Sequence, residues 1–195
     1  MDMKSTKFDL RRFLQNQASM PSESIEVLVQ AFEVRVFAAG DFLVRQNDPF
    51  QDECVLLSGR VVTTILDHKG KEVCVGLYDS PMALSPSISR TNAEKSLVNI
   101  EFTSSATIAL LHADQLVSLM VENEHIRQWG NMILRAELQM KSEHQWALAA
   151  LDNKHKLAWF RSRLVGYEDK FDHWRIASYL GMTPVSFSRA RRTLG

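Results

Sequence analysis

The sequence predicts an α+β chain with four textures: a helical start, a β-rich middle that reads as an all-β sandwich or jelly roll, one long helix, and a short helical end holding a helix-turn-helix. Three observations predict it. First, the apolar spacing is helical over residues 7–32, changes to a period of two or to short Val/Ile-rich runs over 33–113, and returns to the helical period after Asp114. Second, a chain of 195 residues that is neutral overall divides its charge unevenly: Asp152–Gly195 carries nine Lys or Arg against four acids, a net of +5, and the remainder is net −5. Third, the stretch LGMTPVSFSRARR places three arginines behind a glycine turn and a Thr-Pro step. With 45% apolar residues there is material for a substantial core, which excludes a disordered chain.

At the start, Phe8, Leu10, Phe13 and Leu14 form one apolar face, and Ser22 reads as the N-cap of a helix carrying Ile25, Leu28, Val29 and Phe32. MDMKSTKFDLRRF lacks the apolar run of a signal peptide, and nowhere do about 18 apolar residues run together, so a soluble cytoplasmic protein is expected. The middle is built from EVRVF, DFLVR, VLLSGRVVTTIL, EVCVGLY, SLVNIEF and ATIALL, separated by Gly, Pro and Asn turns, with DHKGKE as a hairpin. Cys54 and Cys74 lie inside apolar runs and read as buried structural thiols. Two cysteines with no histidine at ligand spacing do not make a metal or cluster site, so no metal and no cofactor is expected.

Asp114 reads as the N-cap of the next helical stretch, which breaks near Asn123 and runs to about Leu151. Along it Ile126, Trp129, Ile133, Ala136, Met140, Ala147 and Ala150 fall on the three-and-four spacing of a coiled-coil seam, with Glu143 as the one misfit. This predicts a homodimer through that stripe. The alternative is that the stripe packs within its own chain, and the bulky Met132, Leu134, Leu138 and Trp146 lie off the seam.

In the last segment Leu157, Phe160 and Leu164 suggest a helix ended by Gly166, and GYEDKFD reads as a polar loop. Ile176, Ala177 and Leu180 then make one apolar face, Gly181 a turn, and Thr183-Pro184 an N-cap followed by proline at the first helical position. The following helix buries Phe187, Ala190 and Leu194 and turns Pro184, Val185, Ser188, Arg189 and Arg192 outward. That is a helix-turn-helix whose outer face suits the DNA major groove, where an arginine can bond guanine O6 and N7 bidentately. The expected domains are 1–113, 114–151 and 152–195.

Three of these stretches, in this order, carry a resemblance. "FAAGDFLVRQNDPFQDECVLLSGRVVTTILDHKGKEVCVGLY" resembles a cyclic-nucleotide-binding β-roll with turns at Gly40, Gly59 and Gly70. The long helix resembles a dimerisation helix, and "HKLAWFRSRL … RIASYLGMTPVSFSRARRTL" a DNA-binding end. Together they resemble the Crp/Fnr-type (catabolite activator/fumarate–nitrate regulator) family of bacterial transcription factors over nearly the whole chain. The resemblance implies a β-roll sensor, a dimerisation helix, a helix-turn-helix and transcription regulation. Its implied partners are a pseudo-palindromic double-stranded operator, a second copy of the chain, RNA polymerase and an effector of unknown identity, with no membrane.

Departures from the family pattern shape the expected sites. The glutamate that takes a ribose hydroxyl is replaced by Met82-Ala83-Leu84, and Lys95-Ser96 stands where Arg-Ser would hold a cyclic phosphate, with Arg90 five residues earlier. Lysine lacks the bidentate fork, which counts against cyclic AMP or cyclic GMP and leaves Arg90, Lys95 and Ser96 as candidate effector contacts. The family's Arg-Glu pair at the start of the reading helix is Pro184-Val185 here, and Arg189 alone is retained, so a different operator is expected. Val185 suits a thymine methyl; Thr183, Ser186 and Arg191 suit phosphates; Ser188 and Arg192 complete the outer face. No β-hairpin wing is expected after Gly195. Nucleophile elbow, HExxH, phosphate loop and paired carboxylates are absent from the sequence, so no enzyme is expected. The alternative reading is a ligand- or protein-binding module whose C-terminal helices dock a protein partner.

Overall fold

The computed structural model describes residues 3–17 and 20–195, with side chains from residue 7 onward. The helical reading of 7–32 therefore has residues 18 and 19 outside the described residues. Two helices open the chain, α1 (Met3–Gln17) and α2 (Ser22–Ala31). They are tied by a bidentate pair in which Arg11 donates to Glu26 at 2.6 and 2.7 Å. Ser22 is not the N-cap expected of it: Pro21 occupies that place and Ser22 is the first helical residue.

Ten strands follow: β1 (Glu33–Phe37), β2 (Phe42–Val44), β3 (Asp52–Ser58), β4 (Arg60–Leu66), β5 (Glu72–Asp79), β6 (Met82–Ala83), β7 (Thr91–Asn92), β8 (Lys95–Ser96), β9 (Asn99–Phe102) and β10 (Ala106–His112). A short helix, α3 (Ser87–Arg90), separates β6 from β7. One four-stranded sheet runs β1-β10-β3-β6, a second runs β2-β9-β4-β5, and β7 pairs with β8 alone. This is the jelly-roll arrangement expected from the period-two runs. Gly59 sits between β3 and β4 at φ +89°, and a Cβ there would come within 2.4 Å of the Ser105 carbonyl oxygen, so the corner requires glycine. The β4–β5 connection is the expected hairpin: Asp67 Oδ1 accepts the Lys69 and Lys71 N–H groups at 2.8 and 2.9 Å.

Four helices and one 3₁₀ turn complete the chain after α4 (Ala113–Glu122): α5 (Glu124–Ala150), α6 (Asn153–Arg163), the turn Tyr167–Asp169, α7 (His173–Tyr179) and α8 (Pro184–Leu194). The expected break falls at Asn123, an extended residue whose Oδ1 caps α5 by accepting the His125 and Ile126 N–H groups at 3.0 and 3.2 Å. Asp114 is not the cap of α4. His112 precedes that helix and its ring nitrogen accepts the Asp114 N–H.

The chain forms two compact units, one of residues up to Val62 with Tyr78–Glu137, the other of Thr63–Leu77 with Leu138–Gly195. The expected division at 113 and 151 follows changes of period, whereas the units follow contacts and divide α5 at Glu137/Leu138. In the first unit Val44, Leu56, Ile100, Phe102 and Ile108 fill the interior of the roll. A second cluster joins Leu10, Leu14, Leu28, Val29, Val55, Leu116, Ile126 and Trp129 from α1, α2, β3, α4 and α5. Each fully buried Leu, Ile or Phe contributes about 1.5–3 kcal/mol. In the second unit Leu157, Phe160, Ile176, Leu180 and Phe187 are buried. Both cysteines are buried and free, as expected for structural thiols. Burial pushes the Cys54 thiol up to about 12, which keeps it unreactive. Among the described residues no helix is long and apolar enough to cross a membrane.

Candidate nucleic-acid interface

The C-terminal helices present one face of α8 outward. Thr183 is an extended N-cap whose hydroxyl oxygen accepts the Ser186 N–H at 3.1 Å, with Pro184 next in the helix. The tight entry from α7 is set by Gly181 at φ +63° and by the Met182 N–H donating to the Ala177 carbonyl at 2.8 Å. Phe187 and Ala190 are buried, and α8 packs on α6 and α7. Leu194, expected on the same side, is half-buried. The opposite face exposes Thr183, Pro184, Val185, Ser188, Arg189 and Arg192.

Two of the expected phosphate contacts are engaged within the chain. Arg191 is not a free cation: its Nε donates to Glu168 at 2.6 Å and its Nη1 lies 3.3 Å from His173 Nδ1. Thr183 donates its hydroxyl to Ser186 at 3.0 Å, which leaves the Ser186 hydroxyl proton as the one available from the pair. By contrast, Arg189 and Arg192 have no ion-pair or hydrogen-bond partner for their side chains among the described residues. They lie on the exposed face, with the guanidinium forks open to an outside acceptor.

Glu168 is the residue that the sequence reading missed. Its carboxylate receives Arg161 Nε at 2.6 Å and Arg161 Nη2 at 3.2 Å as well as Arg191 Nε. Those guanidiniums, Arg161 first, hold its carboxyl below the usual range against the effect of burial. The segment GYEDKFD is thus no plain polar loop: Glu168 locks α6 to α8, and Phe171 is buried beside it. The sequence signal was that lone Phe in an otherwise polar run. On α5, Glu143 is explained as well, because it takes Arg163 at 2.6 Å. His144 stacks on Tyr179 with ring centres 4.0 Å apart, and its Nε2 lies 2.8 Å from the Tyr179 carbonyl oxygen. Burial pushes the His144 pKa down.

The seam expected at a dimer interface is corrected at three positions. Ile126 and Trp129, 0% and 3% exposed, belong to the core of the first unit, and Ala147 is buried in the second. Ile133 packs partly on that same core and Met140 is half-buried, so of the seven only Ala136 and Ala150 are exposed. Of the bulky residues off the seam, Met132 packs on the core of the first unit and Leu134 is half-buried, whereas Leu138 is 56% and Trp146 57% exposed.

The architecture is similar to that of solved regulators. CLP of Xanthomonas campestris, a c-di-GMP responsive global regulator, matches at a TM-score of 0.71 and 15% identity over 89% of this chain and 91% of that one. The chain has the Crp/Fnr-type fold. FixK2 of Bradyrhizobium japonicum has the Crp/Fnr-type fold at a TM-score of 0.68, 15% identity and 84% of both chains. The catabolite activator protein of Thermus thermophilus matches at 0.57, 15% identity, 90% of this chain and 84% of that one. No protein-family model and no curated protein matches the sequence.

Within the Crp/Fnr-type β-roll the three candidate effector residues do not converge. Arg90 is 3% exposed and turned inward: its Nε donates to the Ser85 carbonyl at 2.9 Å, its Nη2 donates to the Asp52 carbonyl, and its guanidinium lies over the Phe50 ring. Ser96 is buried, and its hydroxyl donates to the Val98 carbonyl at 2.6 Å. Lys95 is exposed on the β7–β8 hairpin. The expectation of a joint phosphate contact is corrected accordingly: two of the three groups already have partners inside the roll.

Proposed function

We propose that the protein is a homodimeric, sequence-specific DNA-binding transcription regulator that reads the major groove with α8. The observation that carries this reading is the outer face of α8, where Arg189 and Arg192 stand exposed and unpaired beside Val185 and Ser188 while the opposite face is buried. Arg189 is assigned to base edges and Val185 to a thymine methyl; Ser186 and Arg192 are assigned to phosphates. Arg191 and Thr183 act one step back, fixing the orientation of the helix.

The dimer contact is assigned to the open side of α5 around Leu138 and Trp146, with Ala136 and Met140 beside them. A two-fold pair would then place two reading helices about 34 Å apart on a pseudo-palindromic site. The β-roll serves as the sensor or scaffold.

Selection of genomic DNA fragments by the purified protein at near-physiological salt, with Arg189→Ala alongside, tests the reading. An inverted repeat enriched by the wild type and lost in the variant is the expected result. Recovery of bulk DNA alone, together with a tight protein partner, would support the docking-module alternative. For the dimer, Trp146→Ala is expected to weaken self-association by about 2 kcal/mol, roughly thirtyfold in dissociation constant, in sedimentation equilibrium. A monomeric wild type would remove that part of the proposal.

A further inference from the structure

The first unit contains a cavity of about 290 Å³ that none of the expected effector residues lines. Its walls come from Phe32, Val55 and Leu84 on the roll side and from Leu116, Trp129 and Leu134 on α4 and α5. The volume is roughly twice that of an engineered apolar cavity of about 150 Å³ that takes up benzene. At the rim stand Ile88 and Val117, 76% and 58% exposed, so apolar surface continues from the interior to the mouth. Single exposed apolar residues are ordinary, but a pair at the mouth of an apolar cavity marks an entry.

A second observation says what should enter. Trp129 lines this cavity, is 97% buried, and its indole N–H has no acceptor among the described residues. Buried donors are seldom left in this condition, and indole N–H groups find partners when buried. A water is a poor candidate for that partner, because a buried water needs two to four polar neighbours and the wall is almost wholly hydrocarbon. The one carboxylate on the wall, Glu53, is engaged from α3: it accepts the Ser87 N–H at 3.1 Å and the Ser87 hydroxyl at 2.7 Å. Its charge disfavours an anionic guest.

We propose that this cavity is a binding site for a neutral, mainly hydrocarbon small molecule carrying one carbonyl-type oxygen, which accepts the Trp129 N–H while the apolar body fills the space between α4, α5 and the roll. The site is separate from α8, and its test uses no DNA, so it stands or falls independently of the DNA-binding reading.

Binding of 2-acetylnaphthalene and of 2-isopropenylnaphthalene, which has the same shape without the acceptor, is measured by calorimetry on the full chain. The wild type is expected to bind both saturably and to prefer the ketone by about 2- to 10-fold, the range that one net hydrogen bond supplies. Trp129→Phe should retain the hydrocarbon and lose the preference. Val117→Asp changes an exposed rim residue, so it keeps the fold as judged by circular dichroism and should weaken both probes. Should Trp129→Phe fail to fold, the wild-type preference and Val117→Asp decide the matter. No saturable binding by the wild type, equal affinity for the two probes, or undiminished binding by folded Val117→Asp would overturn the proposal.

Discussion

Two arginines of this chain, Arg90 in the β-roll and Arg189 on α8, carry the same group to opposite ends. Arg90 is buried among backbone carbonyls and aromatic carbon, so its charge is spent on holding α3 against β3. Arg189 is exposed and unpaired, so its fork is available to something outside the chain. The contrast teaches that a basic residue marks an outside ligand site where the fold leaves its fork exposed: Arg90 keeps one donor, Nη1, without a partner among the described residues, but that donor is buried. Sequence alone put both on candidate sites; geometry retains one.

The comparison breaks most visibly at Arg90. Arg90→Ala removes a buried charged donor and leaves the Ser85 and Asp52 carbonyls without it, and a loss of about 3 kcal/mol in unfolding free energy is expected. Urea denaturation measures it, and an unchanged midpoint would mean that water replaces the guanidinium at no cost. Next in size is Arg189→Ala, expected to cost about 1–3 kcal/mol on the selected operator and to relax one base per half-site, with stability within about 0.5 kcal/mol of wild type. Equal losses on specific and random DNA would sink the base-reading role.

Arg191 offers an intermediate case, since its partner is a residue of the same chain. Removing that partner by Glu168→Ala should lower stability by about 1 kcal/mol, a figure reduced because both guanidiniums are about a third or more exposed. The pH signs follow from the directions of shift. Glu168 titrates below its ordinary range when folded, so its contribution is complete above the unfolded value near 4.3 and fades as pH falls through it. His144 is also lowered, from 6.5, so burial of its neutral ring stabilises above that pH and is lost as pH drops below it. Thermal unfolding followed from about pH 7.5 down to about pH 2.5 should therefore show an earlier decline below the ordinary histidine value that His144→Phe abolishes, and a later one below about 4.3 that Glu168→Ala abolishes. The smallest effect is expected at Lys95→Ala, within about 0.5 kcal/mol in stability, because the side chain stands exposed on a hairpin. A marked thermal shift on adding a phosphate-bearing ligand, lost in that variant, would restore Lys95 to an effector site.

Much of the architecture was legible because period and turn chemistry are local. The change from helical to two-residue spacing near Glu33, the hairpin at Asp67–Lys71, the break at Asn123 and the Thr183-Pro184 helix start all rest on neighbours within a few residues, and each stands in the structure. Caps at Ser22 and Asp114 were misplaced by one and two positions: Pro21 takes the first place without a side-chain bond, and His112 takes the second by accepting the Asp114 N–H. The outer face of α8 was legible for the same local reason.

What only the tertiary structure decided is which of the marked groups were already taken. The spacing of Ile126, Trp129 and Ala147 fitted a seam between two chains as well as it fitted a buried side within one, and long-range packing chose the second. Arg191 was claimed by Glu168, 23 residues away, and Arg90 by the Ser85 and Asp52 carbonyls, 5 and 38 residues away, while among the described residues the Trp129 N–H was left unclaimed. The sequence by itself determined the order of elements, the buried sides of α2 and α7 and the basic outer face of α8. Partnership of charges and donors required the fold, because it depends on distances between residues that no periodicity encodes.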